Sequence, residues 1–274
     1  LIVWGIITED SIGKLFVAGV IPGILLAGFF AVYNMFTAKM NPSIAPEPDA
    51  MGDVAPLTKS QIYSGASIIG LIFLVLGGIW GGFFTATEAA GVGALAGMCI
   101  AIAKGLRFKE LVDCIIDAGK TSAPIMILLI TAGMYSRFLS LADIDSLIIG
   151  AMTSAGLDGA MGLVVMVIIW LLLGMLLDSI SIILLTVPLF MTLSSGMDPY
   201  AFAIFGILAI EAGLLTPPFG LIVYTVKGVL SGTGHDVPLN QIFSGSIPYW
   251  LMMLVVMILV VIFPGLASWL TTFV

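Results

Sequence analysis

Two short stretches of this sequence carry chemistry that their apolar surroundings do not. The first is Thr216-Pro217-Pro218-Phe219-Gly220. Proline has no N–H, so Pro217 and Pro218 remove the i→i−4 bonds that would end on the carbonyls of Gly213 and Leu214. The residue before a proline is pushed out of the helical region, which takes Thr216 and Pro217 with it. Gly220 lets the chain approach a neighbour closely. Loose carbonyls and a threonine hydroxyl are the oxygen ligands that a hard cation such as Na⁺ takes at a broken helix. Gly213, Leu214, Thr216, Pro217, Pro218 and Gly220 are therefore candidate ion- or substrate-binding positions, with Na⁺ held through Gly213 and Thr216. The alternative is a proline kink whose freed groups are satisfied by neighbouring helices.

The second stretch is Asp178-Ser179-Ile180-Ser181. The apolar run from Gly162 to Asp178, at about 1.5 Å per residue, reaches the bilayer middle or slightly beyond, and the return run to Pro188 is as short. Two half-depth helices meeting at a polar tip describe a re-entrant hairpin over about 160–195. A carboxylate at that depth is costly and by default functional, so Asp178, Ser179 and Ser181 join the candidates. The alternative is two full spans with Asp178 at an interface.

Other chemistry-bearing residues have plainer readings. Thr85-Ala86-Thr87-Glu88 is an S/T-x-x-E capping box, which accounts for Glu88 without an ion. Glu211 precedes the double proline by about one and a half turns and either faces the site or pairs with a basic group. Arg137, near a span end, snorkels. Gly119-Lys120-Thr121 lacks the upstream P-loop glycine, since Cys114 stands there. No HExxH or GxSxG is present, and His235, the one histidine, cannot build a metal cluster and belongs to a solvated loop. No enzymatic chemistry and no cofactor are expected.

The elements that must position these residues are membrane helices. Of the 274 residues, 60% are apolar and 9% charged, with mean hydropathy +1.22, whereas a soluble domain is about a quarter charged. The surrounding medium is a lipid bilayer, and the net charge of −7 excludes nucleic acid as a partner. Apolar runs near the ~20 residues that span hydrocarbon cover 12–36, 62–80, 84–103, 122–140 and 243–263. The broken regions are 160–195 and 200–231, and Pro264 to Val274 is interfacial. Residues 37–61, with Pro42, Pro46, Pro48 and Pro56, form a linker. Lys104, Arg107, Lys109 and Lys120 place a short loop, 104–120, in the cytoplasm. Counting spans puts 37–61 on the same side and 8–11 and 140–158 outside. Cys99 and Cys114 are expected to be buried thiols, and glycine pairs such as Gly77/Gly81, Gly78/Gly82, Gly93/Gly97 and Gly228/Gly232 to be tight helix contacts. The chain starts at Leu1 without an initiator Met or readable signal peptide and looks cut.

An internal repeat is also legible. Leu1-Ile2-Val3-Trp4 pairs with Leu221-Ile222-Val223-Tyr224, and Gly19-Val20-Ile21-Pro22 with Gly245-Ser246-Ile247-Pro248. The span count gives the paired segments opposite directions, as in the inverted repeats of secondary transporters. The expected fold is an all-α integral membrane protein. Residues 1–36 end a first inverted repeat, 37–61 are a cytoplasmic linker, and 62–274 form a second repeat holding the hairpin and the broken helix.

Three blocks resemble a known family. They are Gly81-Gly82-Phe83-Phe84-Thr85-Ala86-Thr87-Glu88-Ala89-Ala90, Gly174-Met175-Leu176-Leu177-Asp178, and Glu211 through Gly220. Their order is similar to that in the large membrane subunit of tripartite ATP-independent periplasmic (TRAP) transporters. The resemblance covers nearly all of this chain but about the C-terminal two-thirds of a typical large subunit. The missing part would hold the first hairpin and half of the ion and substrate site. The resemblance implies an elevator-type transporter of the bacterial inner membrane, with Na⁺ as coupling ion and uptake of an organic acid of dicarboxylate or sialic-acid type. It implies two protein partners, a periplasmic substrate-binding protein and a small four-helix membrane subunit. Phe219 departs from the family, which often has a smaller aliphatic residue there. Two other readings are a non-transporting membrane scaffold and an anion channel, but a scaffold has no reason to break helices inside the membrane.

Overall fold

The computed structural model describes residues 1–41, 58–156, 159–194, 196–232 and 237–274, and every regular element among them is helical. In chain order these are α1 (Ile2–Thr8), α2 (Ile12–Ala18), α3 (Val20–Met40), α4 (Lys59–Trp80), α5 (Ala86–Ala103), α6 (Phe108–Leu141) and α7 (Ile144–Ser154). They continue as α8 (Gly159–Gly174), α9 (Ser179–Leu193), α10 (Pro199–Leu215), α11 (Leu221–Gly232), α12 (Leu239–Ile262) and α13 (Gly265–Ser268), with a 3₁₀ turn at Leu270–Phe273. Among the described residues five stretches are long and apolar enough to cross a membrane: Ile12–Met40, Gln61–Trp80, Ala86–Ala103, Phe108–Leu141 and Leu239–Ile262. They correspond to the five apolar runs of the sequence. α9 and α10, with 15 and 17 residues, are about 22–26 Å long, short of the ~30 Å hydrocarbon thickness.

The chain divides into two compact units, Leu1–Leu26 with Thr121–Phe273, and Ala27–Lys120. The first is built around α10. That helix is apolar all round, as a helix buried on every side must be, and eleven of its 17 residues are buried. It packs on α8, α12, α2 and α13. Around it lies an aromatic cluster of Trp4, Trp170, Phe190, Phe202 and Phe205. The Trp170 and Phe190 rings meet edge to face at 5.1 Å, a favoured arrangement of aromatic quadrupoles. The buried indole of Trp170 donates its N–H to Thr186 Oγ1 at 2.8 Å, and that hydroxyl donates to Ile182 O at 2.7 Å. Burial of these polar atoms therefore leaves none of their donors idle. α10 accepts the Trp4 ring only because position 206 is glycine: a Cβ there would lie 2.5 Å from the ring.

The second unit contains the helix pair α4 and α5. Gly81 caps α4, and Gly82, at φ +70°, reverses the chain. The capping box read at Thr85 then opens α5: Glu88 Oε2 accepts from Thr85 N at 2.8 Å, and Glu88 N donates back to Thr85 Oγ1 at 3.3 Å.

Several sequence expectations are corrected. Segment 104–120 is not a loop throughout, because α6 starts at Phe108 and runs unbroken past Lys120 and Pro124 to Leu141; charge marks exposure to water and does not end a helix. Cys99 and Cys114 are exposed on the chain, since in a membrane protein an apolar neighbourhood is as often the lipid-facing surface as the interior. Of the glycine pairs, Gly78 faces the Phe84 ring and Gly93 faces Val75, while a Cβ at Gly77, Gly82, Gly97 or Gly228 would meet nothing within 4 Å. The end of the chain is more than an interfacial tail, because Ala267 and Thr271 are buried and α13 packs on α10 and α2. Most of the linker expected at 37–61, and His235, lie outside the described residues.

Candidate functional site

The double proline breaks the chain where the sequence requires it. α10 ends at Leu215, and Thr216 turns extended at φ −77°, ψ 129°. Its N–H donates to Gly213 O at 2.9 Å, so the Gly213 carbonyl keeps one of its two lone pairs. Pro218 has no N–H to offer Leu214 O. The Pro217–Pro218 peptide is cis, and Gly220 sits at φ +43°, a conformation that favours glycine. The Gly220 carbonyl accepts from Val223 N at 2.8 Å and Tyr224 N at 3.2 Å, which starts α11. Gly213, Leu214 and Gly220 are buried, Thr216 is half-buried, and Pro217, Pro218 and Phe219 are exposed.

The Thr216 hydroxyl is held from two sides. It donates to Ala212 O at 2.8 Å and accepts the indole N–H of Trp250, on α12, at 3.1 Å. A hydroxyl has one hydrogen and two lone pairs, so one lone pair is left for a further partner.

The other break lies between Gly174 and Ser179. Asp178 turns its carboxylate onto its own helix: Oδ2 accepts from Ile180 N at 3.0 Å and Ser181 N at 3.2 Å, and Oδ1 accepts from Ser181 Oγ. It is the N-cap of α9 and already satisfies the first-turn N–H groups that could have held an anion. Ser179 reaches across to α10 and donates to Glu211 Oε1 at 2.9 Å. Glu211, whose direction the sequence left open, therefore ties the start of α9 to α10 five residues before Thr216.

The two breaks are also joined by backbone. A Cβ on Gly174 would lie 2.6 Å from Gly213 Cα, and one on Gly213 would lie 2.7 Å from Trp170 O. Only two glycines let α8 and α10 approach this closely. A cavity of about 390 Å³ is lined by Met175 and Leu176 from the first break, by Phe219 from the second and by Leu221 and Tyr224 from the start of α11. The structure thus brings Met175 and Leu176 of one break and Phe219 of the other to one hollow, but none of the nine sequence-predicted site residues lines it. Ser181 lines a separate cavity of about 340 Å³ with Thr131, Tyr135 and Leu177. Ser179 lines a third, of about 360 Å³, with Glu211. Arg137 borders another, of about 300 Å³, with Glu9 and Ser136.

Sequence reasoning gave no site role to Trp250, Gly174 or Tyr224. Trp250 sits within an unbroken apolar run, 34 residues from the hydroxyl it holds, and nothing local signals the pairing. Gly174 has no small-residue partner on its own helix, because its partner, Gly213, is on another.

Comparison with known proteins adds the following. Residues 1–266 match the family model described as tripartite ATP-independent periplasmic transporter, DctM component. The chain is 30% identical over 271 residues to the C4-dicarboxylate TRAP transporter large permease protein DctM of Pseudomonas aeruginosa, covering 97% of this chain and 61% of that protein. It is 29% identical to the ectoine/5-hydroxyectoine TRAP transporter large permease protein UehC of Ruegeria pomeroyi, covering 98% of this chain and 62% of the relative. It is 25% identical to the sialic acid TRAP transporter large permease protein SiaM of Vibrio cholerae, covering 96% and 61%. The chain therefore spans about three-fifths of the length of these relatives.

Proposed function

We propose that this chain, which belongs to the DctM-component family of tripartite ATP-independent periplasmic transporters, forms one half of the site through which such a permease takes up an organic acid with Na⁺. The observation that carries the reading is the hollow bordered by two helix breaks at once. Irregular backbone at membrane depth persists where it lines a cavity or is buried in protein, and here Met175, Leu176 and Phe219 line one. Na⁺ is held at the end of α10 by the spare lone pair of Gly213 O, by Leu214 O and by Thr216 Oγ1, with the negative end of the α10 dipole adding to the attraction. The substrate carboxylate docks against the N-terminus of α11, the half-helix start that no carboxylate among the described residues caps. The N-terminus of α9 is closed to it by Asp178. Asp178, Ser179 and Ser181 shape the hairpin tip, and Pro217, Pro218 and Gly220 hold the broken backbone open. The short lengths of α8 and α9 support a re-entrant hairpin.

The remaining parts of the reading come from the family. The three relatives named above are permeases for a dicarboxylate, a sialic acid and an ectoine, compounds that share a carboxylate, and that shared group is the cargo feature assigned to this chain. A periplasmic binding protein delivers it, a small membrane subunit stands beside the permease, and the assembly lies in the bacterial inner membrane. Both breaks fall in one compact unit, which supports an elevator motion that carries the site as a body.

The test is uptake by the full-length permease with its membrane subunit and binding protein in proteoliposomes, over a range of Na⁺ at fixed ionic strength. Thr216→Val keeps the shape and removes the oxygen. The expected result is a right-shifted Na⁺ curve, about 10-fold for the loss of one cation ligand worth 1–2 kcal/mol. An unchanged curve would overturn the assignment of Na⁺ to this break.

A further inference from the structure

We propose that α12 is a splint for the broken segment, and that Trp250 is a positioning residue that aims the Thr216 oxygen at the cation; the inference rests on the Na⁺ reading above. The case begins with the two ends of the break. Thr216 opens it and Gly220 closes it, and each end touches an aromatic side chain of α12. Trp250 Nε1 donates to Thr216 Oγ1 at 3.1 Å. The Phe243 ring lies so close to Gly220 that a Cβ there would be 2.8 Å from Phe243 Cε1. Positions 243 and 250 are seven apart, two turns of helix, and so share one face. One helix thus holds both ends of a segment whose two prolines have no N–H with which to set its shape.

The hydroxyl accounting shows what Trp250 does chemically. The single hydrogen of Thr216 is committed to Ala212 O, so it cannot point at a cation and oppose it. The indole N–H occupies one lone pair. Both bonds fix the rotation of the hydroxyl about its C–O bond, and the remaining lone pair has one direction. Without the indole the hydroxyl keeps its bond to Ala212 O but loses the second constraint, and the oxygen that Na⁺ requires is no longer preset. Preset ligands bind more tightly because less ordering remains to be done on binding. Trp250 touches neither ion nor substrate in this scheme and acts through Thr216.

The experiment uses the complete permease assembly and two substitutions. Trp250→Phe keeps an aromatic ring and removes the N–H. The expected outcome is a rise of about 3- to 10-fold in the Na⁺ concentration for half-maximal uptake, the worth of one neutral hydrogen bond. The maximal rate and the substrate KM at saturating Na⁺ stay within about twofold. Thr216→Val shifts the same curve, and the double variant shifts it no further, because the indole has nothing to position once the hydroxyl is gone. Binding is read separately by thermal melting of the purified protein in NaCl against choline chloride. There W250F gains less from Na⁺ than the wild type does, each compared with its own melting temperature in choline. A W250F curve that superimposes on the wild type while T216V is shifted would overturn the positioning role, as would additive effects in the double variant. If T216V leaves the Na⁺ curve unmoved, the ion assignment itself fails, and that result is distinguishable from both.

Discussion

Replacing Gly174 by alanine tests whether the close crossing of α8 and α10 holds the site together. A Cβ at 174 would sit 2.6 Å from Gly213 Cα, 2.7 Å from Gly213 C and 3.0 Å from Leu214 N. All three are backbone atoms, so no side chain can swing away to make room. Ordinary contact begins near 3.4 Å, so the helices must part by about 0.8 Å at this point. Forcing a methyl into a packed crossing costs about 1–3 kcal/mol. Alanine returns less than the ~1 kcal/mol helix-propensity gain, because Gly174 is the last residue of α8. The displaced atoms are those of Gly213 and Leu214, whose carbonyls are assigned to the ion, so the strain falls on the site. The expected result is a lower melting temperature for the purified permease together with a weakened Na⁺ dependence of uptake. Gly119→Ala is the control, since a Cβ there meets nothing within 4 Å, and it should melt at or above the wild type. If G174A matches the wild type in melting and in Na⁺ response, the crossing is not close in the working protein and the argument from it fails.

Two further outcomes follow from the hydrogen bonds at the start of α9. Asp178→Asn keeps an acceptor for Ile180 and Ser181 N–H and should retain uptake and stability, whereas Asp178→Ala loses the α9 cap and about 0.5–2 kcal/mol; thermal melting and uptake of both variants decide it, and an inactive but stable D178N would show that the charge itself is used. Ser179→Ala and Glu211→Ala each remove the same bond between α9 and α10, so their effects on melting should be non-additive in the double variant by about 0.5–3 kcal/mol. Glu211→Gln, which keeps an acceptor for Ser179, should fall closest to the wild type.

The legible parts of this protein were those that depend on neighbours in sequence. The five long helices followed from apolar run length, because bilayer thickness fixes how many residues a span needs. The end of α10 at Leu215 followed from Pro217 and Pro218, whose missing N–H groups act within four residues. The Thr85–Glu88 box appeared as read, because a cap is complete within one turn. Contacts between distant helices were not legible. The crossing of Gly174 with Gly213 joins residues 39 apart in the chain, and the hydrogen bond from Trp250 to Thr216 spans 34. Neither leaves a periodic trace. Cys99 and Cys114 were misplaced for a related reason: hydropathy reports whether a residue avoids water, and in a bilayer both the interior and the outer surface do so.

Asp178 shows how the chemistry of a residue and its role can separate. Its residue type and its place at a helix break made it a natural ligand for an ion or a partner for a substrate. The structure instead spends both carboxylate oxygens on the N-terminus of α9 and on Ser181. A capped helix start carries less positive field than an open one, because the N–H groups that would project it are already bonded to an anion. In the proposed reading an incoming carboxylate is therefore disfavoured at α9 and favoured at α11, where Gly220 carries no charge. That asymmetry gives the proposed site a direction. In the proposed reading the cation lies at the terminus of α10, rich in carbonyl oxygen, and the carboxylate at the start of α11, six residues further along the same chain. A solute carrying a carboxylate and a sodium ion can then occupy neighbouring positions, each lowering the field that the other must bear.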